Sequence, residues 1–113
     1  MDSGLASVLT QQFYREQGPE FVGFIIGSKI IQVPNISPEP DTSFMVSVKD
    51  IISYADEADY FFHTHPNQDS NLSHEDFIGI KNWPSLTHCI IGNDGVSCYK
   101  YNEEREEVTK VYG

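Results

Sequence analysis

Positive charge is what this 113-residue sequence has least of: seven Lys and Arg stand against 17 Asp and Glu, a formal charge of −10. A protein that holds a phosphate backbone needs a positive footprint, so nucleic acid is not an expected partner. Such a surplus of acid serves solubility first, and it leaves basic partners open. Cysteine is also scarce. Two residues, Cys89 and Cys98, build no disulfide framework. They flank Gly92-Asn93-Asp94-Gly95, a hairpin turn in which one register sets them opposite each other as small buried side chains. No apolar run reaches the roughly 18–20 residues of a membrane helix. The opening Met-Asp-Ser-Gly has an acid where a secretory signal carries positive charge, so a cytoplasmic protein is expected, without membrane contact.

Hydrophobic residues at 39% and aromatics at 12% suit a globular chain of one domain spanning residues 1–113. Leu5, Val8, Leu9 and Phe13 recur at helical spacing, predicting a helix over 3–17 that ends at Gln17-Gly18-Pro19. Residues 21–27 and 29–35 read as strands around Gly27-Ser28. Three prolines among residues 34–40 forbid regular structure there. A short extended piece at 44–48 and a helix over 49–58 follow. Residues 59–65 read as a strand, and Ser73 is a natural N-cap for a helix that Pro84 stops. Three strands close the chain. The order α-β-β-α-β-α-β-β-β predicts an α/β domain of two or three layers around one sheet.

The chemistry concentrates in FFHTHPNQDSNLSHEDF, residues 61–77. On a strand, His63 and His65 face the same way about 6.5 Å apart, so their imidazoles can converge on one ion. Asp76, in the first turn of the helix begun by Ser73, is placed to be a third ligand. Ser-x-x-Asp is equally the pattern of a capping box, with an acid that also suits the helix dipole. Two His and one Asp leave one position of a tetrahedral zinc open, which is the catalytic rather than the structural arrangement. Hydrolysis there further needs a base and a donor for the oxyanion, and the Ser73 hydroxyl is a candidate for the latter. His74 reads as solvated, His88 as structural rather than a fourth ligand, and Phe77 and Trp83 as packing between helix and sheet. Asp69 and Glu75 are explained by a polar loop and a solvated helix face.

His-x-His, seven intervening residues beginning with Pro66, and Ser-x-x-Asp resemble the signature of the JAMM (MPN-plus) metalloprotease family. That family carries an upstream glutamate as general base, with a glycine following closely in a strand; Glu20 and Gly23 in PEFVGF match it. Val22 stands where prokaryotic and phage members typically have Cys, a packing position. The segment 35–47 also resembles the family's Asn, Pro and Phe pattern, and the likeness spans residues 5–100. The resemblance implies a cytidine-deaminase-like mixed sheet flanked by helices, with Zn2+ held by His63, His65 and Asp76. It further implies Glu20 as base, Ser73 as oxyanion stabiliser and no other cofactor. Non-catalytic MPN domains typically lack one or more of these five, so catalytic competence is expected.

Single-domain prokaryotic members and phage tail-assembly members are the most similar branches, the latter implying a virion-associated role. Their substrates would be a ubiquitin-like tag, a tail protein or a peptidoglycan peptide. A non-catalytic assembly module is the competing expectation. A DNA-associated RadC-like role fits the charge poorly. Thr64 and its backbone are candidates for pairing with an extended substrate, and the loop 34–43 for the opposite wall of a groove. Oligomeric state is left open.

Overall fold

A computed structural model describes residues 1–113. The elements follow the expected order: α1 (Ser3–Phe13), β1 (Val22–Ile26), β2 (Lys29–Val33), α2 (Val48–Tyr54), β3 (Tyr60–Thr64), α3 (His74–Asn82), β4 (Thr87–Gly92), β5 (Gly95–Asn102) and β6 (Glu107–Tyr112). They build one six-stranded sheet in the order β2-β1-β3-β4-β5-β6. Every neighbouring pair is antiparallel except β3 and β4, whose parallel pairing requires the crossover that α3 supplies. Three layers result, with α1 on one face and α2 and α3 on the other. No helix is long and apolar enough to cross a membrane.

Each face owes its cover to alternation along the strands. Phe62, Ile25, Cys89, Ile91, Val96 and Cys98 point to one side and receive Ala6, Leu9 and Phe13 of α1. Leu9 and Phe13 are almost wholly buried, each stabilising the docked helix by about 1.5–3 kcal/mol. The helix starts where Asp2 accepts the Leu5 N–H and stops at Phe13, four residues short of expectation. Tyr14 turns extended and packs on the core margin as the chain heads for β1. Cys89 and Cys98 do face each other across β4 and β5 as free, buried thiols. On the other face Val22, Phe24 and Phe61 pack with Ala55 and Leu86, and Ile80 of α3 covers Ile90 and Tyr99. The extended piece at 44–48 pairs with no strand, and α2 begins at Val48 because Ser47 caps it, accepting from the Asp50 N–H at 3.1 Å.

Two glycines differ in what they are for. A Cβ on Gly23 would fall 2.4 Å from the Ile31 carbonyl oxygen and 2.6 Å from the Phe62 ring, so only glycine lets that ring lie across β1. Gly79, inside α3, has nothing within 4 Å of a Cβ position and no positive φ. Glycine in a helix interior costs stability through backbone entropy. Gly79→Ala is therefore expected to stabilise the protein by about 0.5–1 kcal/mol in urea denaturation; a loss of stability would show an unseen constraint at this position.

Candidate metal centre

The site forms at the carboxyl end of β3, where the parallel pair β3 and β4 meets the amino terminus of α3. Ligands of α/β sheets gather at this kind of place. His63 lies within the buried run of β3, and the His65 N–H continues the ladder by donating to the Ile91 carbonyl at 2.8 Å. Asp76 comes in from the first turn of α3. His63 Nε2 lies 2.9 Å from Asp76 Oδ1, His65 Nε2 lies 3.0 Å from Asp76 Oδ2, and the two Nε2 atoms are 3.2 Å apart. All three residues are buried.

These spacings fit a metal. Ligand atoms about 2.0–2.1 Å from one tetrahedral ion sit about 3.3 Å from one another. The observed separations fall just short of that, so slight spreading of the three side chains would admit an ion. His65 Nδ1 faces the Asp69 carbonyl oxygen at 2.9 Å, which puts its proton there and leaves Nε2 for the site. His63 is held by packing instead: its ring lies 4.6 Å from that of Phe44, and its buried Nδ1 has no hydrogen-bond partner in the chain. His88 is not part of the cluster, in keeping with a structural role, and His74 is exposed.

Ser73 and Asp76 form a capping box, and Asp76 also belongs to the candidate metal group. The Ser73 hydroxyl oxygen accepts from the Asp76 N–H at 3.1 Å, and Asp76 Oδ2 accepts from the Ser73 N–H at 3.0 Å. The cap leaves the ligand reading of Asp76 open, because a carboxylate has lone pairs for both cap and histidines. Having accepted from Asp76, the Ser73 hydroxyl keeps its own proton to donate.

Electrostatics separates the two histidines. Burial alone would raise Asp76, but hydrogen bonds to His63 and His65 outweigh it and hold the carboxyl well below the usual carboxylate range. Burial lowers His63 further than Asp76 can restore, whereas for His65 the hydrogen bonds to Asp76 and Asp69 overcome burial and raise it. Without metal, His65 therefore holds a proton to higher pH than His63 does. A metal bound here would displace that proton, so affinity for a divalent ion such as zinc is expected to rise with pH by up to about tenfold per unit until His65 is neutral. Calorimetry in buffers of different ionisation enthalpy should find about one proton released per zinc at pH 6; no release would rule out His65 as a ligand.

Glu20 reaches the site through strand register. Val22 pairs with His63 across β1 and β3, and continuing that register by two residues sets Glu20 opposite His65. Its backbone is fixed by Pro40, whose carbonyl accepts the Glu20 N–H at 2.7 Å, and by Asn35, whose amide donates to the Glu20 carbonyl at 2.9 Å. The buried carboxyl is pushed up to about 7, by desolvation first, with His65 opposing and Asp76 and Glu75 adding. Glu20, His65, Ser73 and Asp76 line one cleft of about 600 Å³.

No family model and no curated protein matches this chain. Among solved structures, the solution structure of protein DSY2949 from Desulfitobacterium hafniense is similar, with a TM-score of 0.67 over 97% of this chain and 87% of that one. Identity between them is 15%, so the likeness concerns the fold alone.

The loop 34–43 does supply the opposite wall, through Glu39, Asp41, Thr42 and Ser43. Asn35 organises it, donating to the Ser43 carbonyl at 3.0 Å and accepting from the Met45 N–H at 3.1 Å. Thr64 does not offer a free edge. β3 lies between β1 and β4, and the Thr64 hydroxyl accepts from the Phe21 N–H at 2.9 Å, so no substrate strand can add there. The supporting roles of the Asp69 carbonyl and the Phe44 ring were not read from the sequence. A backbone carbonyl leaves no residue-type signal, while the Phe in the 35–47 pattern was visible without its purpose.

Proposed function

We propose that this chain is a zinc-dependent hydrolase of the JAMM type, cutting a peptide or isopeptide amide. The observation that carries the reading is the convergence on one buried point of two imidazoles and a carboxylate, in a cleft that also holds a glutamate titrating near neutrality. His63, His65 and Asp76 would hold the ion beside the cleft. Zinc held there would supply Lewis acidity toward an amide carbonyl and toward water at neutral pH. Glu20, a carboxylate beside the bound cation, would take the proton of the attacking water and return it to the departing amine. The Ser73 hydroxyl, held rigid by its place at the helix start, donates to the oxygen on which negative charge develops. Ubiquitin-like tag conjugates, phage tail proteins and peptidoglycan cross-links all present such an amide.

A cleavage panel across these three substrate classes, with zinc restored after chelation, tests the reading. Hydrolysis of one class is expected, abolished by chelator and by His63→Ala or His65→Ala together with zinc content. Stoichiometric zinc with no turnover on any class would favour a metal-holding assembly module instead.

A further inference from the structure

Beside the metal cleft, the α2/α3 face of the sheet holds a second cavity, of about 150 Å³. Phe44, Val46, Ile51 and Trp83 wall it, and Phe61 and His88 lie beneath. An apolar cavity of about this volume is large enough to take a benzene ring. The four wall residues are only half-buried, and α2 buries none of its own residues, so the cavity opens outward between the two helices. Burial pushes the His88 imidazole down to about 4, leaving it neutral at pH 7, and its Nε2 has no hydrogen-bond partner in the chain.

The cavity adjoins the metal cleft directly. Phe44 and Gly79 line both, and the Phe44 ring that walls the cavity also packs on His63. Gly79 has no steric or backbone reason to be glycine, and alanine would suit the helix better. Its lack of a side chain does one visible thing, which is to keep the sill between cavity and cleft low.

We propose that the cavity is a subsite for an apolar side chain of the substrate, leucine- to phenylalanine-sized, adjoining the amide that is cut and reached across Gly79. This rests on the hydrolytic reading of the cleft. It narrows the substrate class from any amide to one flanked by a bulky apolar residue, whereas a cleft without the subsite would treat glycine and leucine alike.

Trp83, the chain's single tryptophan, reports on the cavity by fluorescence. Zinc-free and zinc-loaded protein would be titrated with N-acetyl-phenylalaninamide, N-acetyl-leucinamide and N-acetyl-glycinamide. Saturable changes with the first two and none with the third are expected, in both metal states. Gly79→Leu should weaken binding at least about tenfold, the worth of burying one such side chain. Gly79→Ala controls for the helix itself, and Val46→Phe fills the cavity from the opposite wall should the leucine variant fold poorly. In parallel, peptides differing only in Leu or Gly beside the scissile bond should differ about tenfold or more in kcat/KM. Equal cleavage of the two would overturn the subsite and leave the hydrolase standing. A Trp83 response without cleavage of any peptide would sink the hydrolase and leave an apolar binding site. Absence of a Trp83 response, or one that neither filling variant reduces, would overturn the subsite outright.

Discussion

If the chain is the hydrolase proposed, Glu20→Gln is expected to lower turnover by about 10²–10⁴-fold while zinc stays bound at full occupancy, because it removes the proposed proton carrier and none of the proposed ligands. Full activity in this variant would end the assignment of Glu20 as base. The same substitution should act on stability in the opposite sense. Burial raises the Glu20 carboxyl from 4.5 to about 7, so the folded protein holds this proton more tightly than the unfolded chain does. The stabilisation that proton gives is fully present below 4.5 and is lost as pH climbs to about 7, above which the fold bears a poorly solvated carboxylate. Glutamine carries no charge to desolvate. In chelator, Glu20→Gln should be more stable than the parent at pH 8 by on the order of 1–2 kcal/mol, allowing for partial solvent screening in the cleft. At pH 4 the gain should vanish. Metal-free protein is the form to measure, since a bound cation would favour the carboxylate. A gain independent of pH would mean that packing, not charge, is responsible.

Substitution of Asp76 should have the largest effect of all, because one carboxylate serves two ends. Loss of a group that merely orients a ligand costs about 10–100-fold in metal affinity, so loss of the ligand itself should exceed about 100-fold. Asp76→Ala also removes the reciprocal half of the α3 capping box and the hydrogen bonds to both histidines. A destabilisation of about 2–3 kcal/mol is expected for the metal-free protein. Asp76→Asn separates the two roles. Its amide oxygen can still accept from the Ser73 N–H, so most of the cap should survive while zinc binding is lost. The charge contribution has its own pH signature. The folded-state value lies below the unfolded 3.8, so stability from the charged Asp76 is present above 3.8 and fades as pH falls toward the folded value. The difference between parent and Asp76→Asn should shrink accordingly in acid. Zinc bound as tightly by Asp76→Asn as by the parent would remove Asp76 from the ligand set.

The two predictions together show why such a site is built from groups that harm and groups that help the fold. Glu20 is held above its solution value and weakens the metal-free protein, whereas Asp76 is held below its own and strengthens it.

Much of this was legible in the linear order of residues. Period-3.6 and period-2 patterning, with Pro and Gly between, predicted the number, order and type of elements, because each needs only local geometry and one apolar face. The boundaries were looser: α1 stops at Phe13 rather than at 17, since tertiary packing, not helix propensity, decides where a helix ceases to be worth continuing. His63, His65, Ser73 and Asp76 were legible as a group because they fall within one strand, one loop and one helix cap. Asn35 and Phe44 were visible as a pattern without a purpose.

What only the tertiary structure decided is everything that depends on chain segments meeting from afar. Glu20 stands opposite His65 because β1 and β3 pair in one register, and a slip of one residue would turn its side chain to the other face. Thr64 read as an edge, but β3 is interior, and strand order is a property of the sheet rather than of the strand. The apolar cavity and its low sill at Gly79 exist only where α2, α3 and the sheet come together. Local patterning specifies elements through contacts a few residues apart; a cleft is made by contacts tens of residues apart, which the fold alone brings into register.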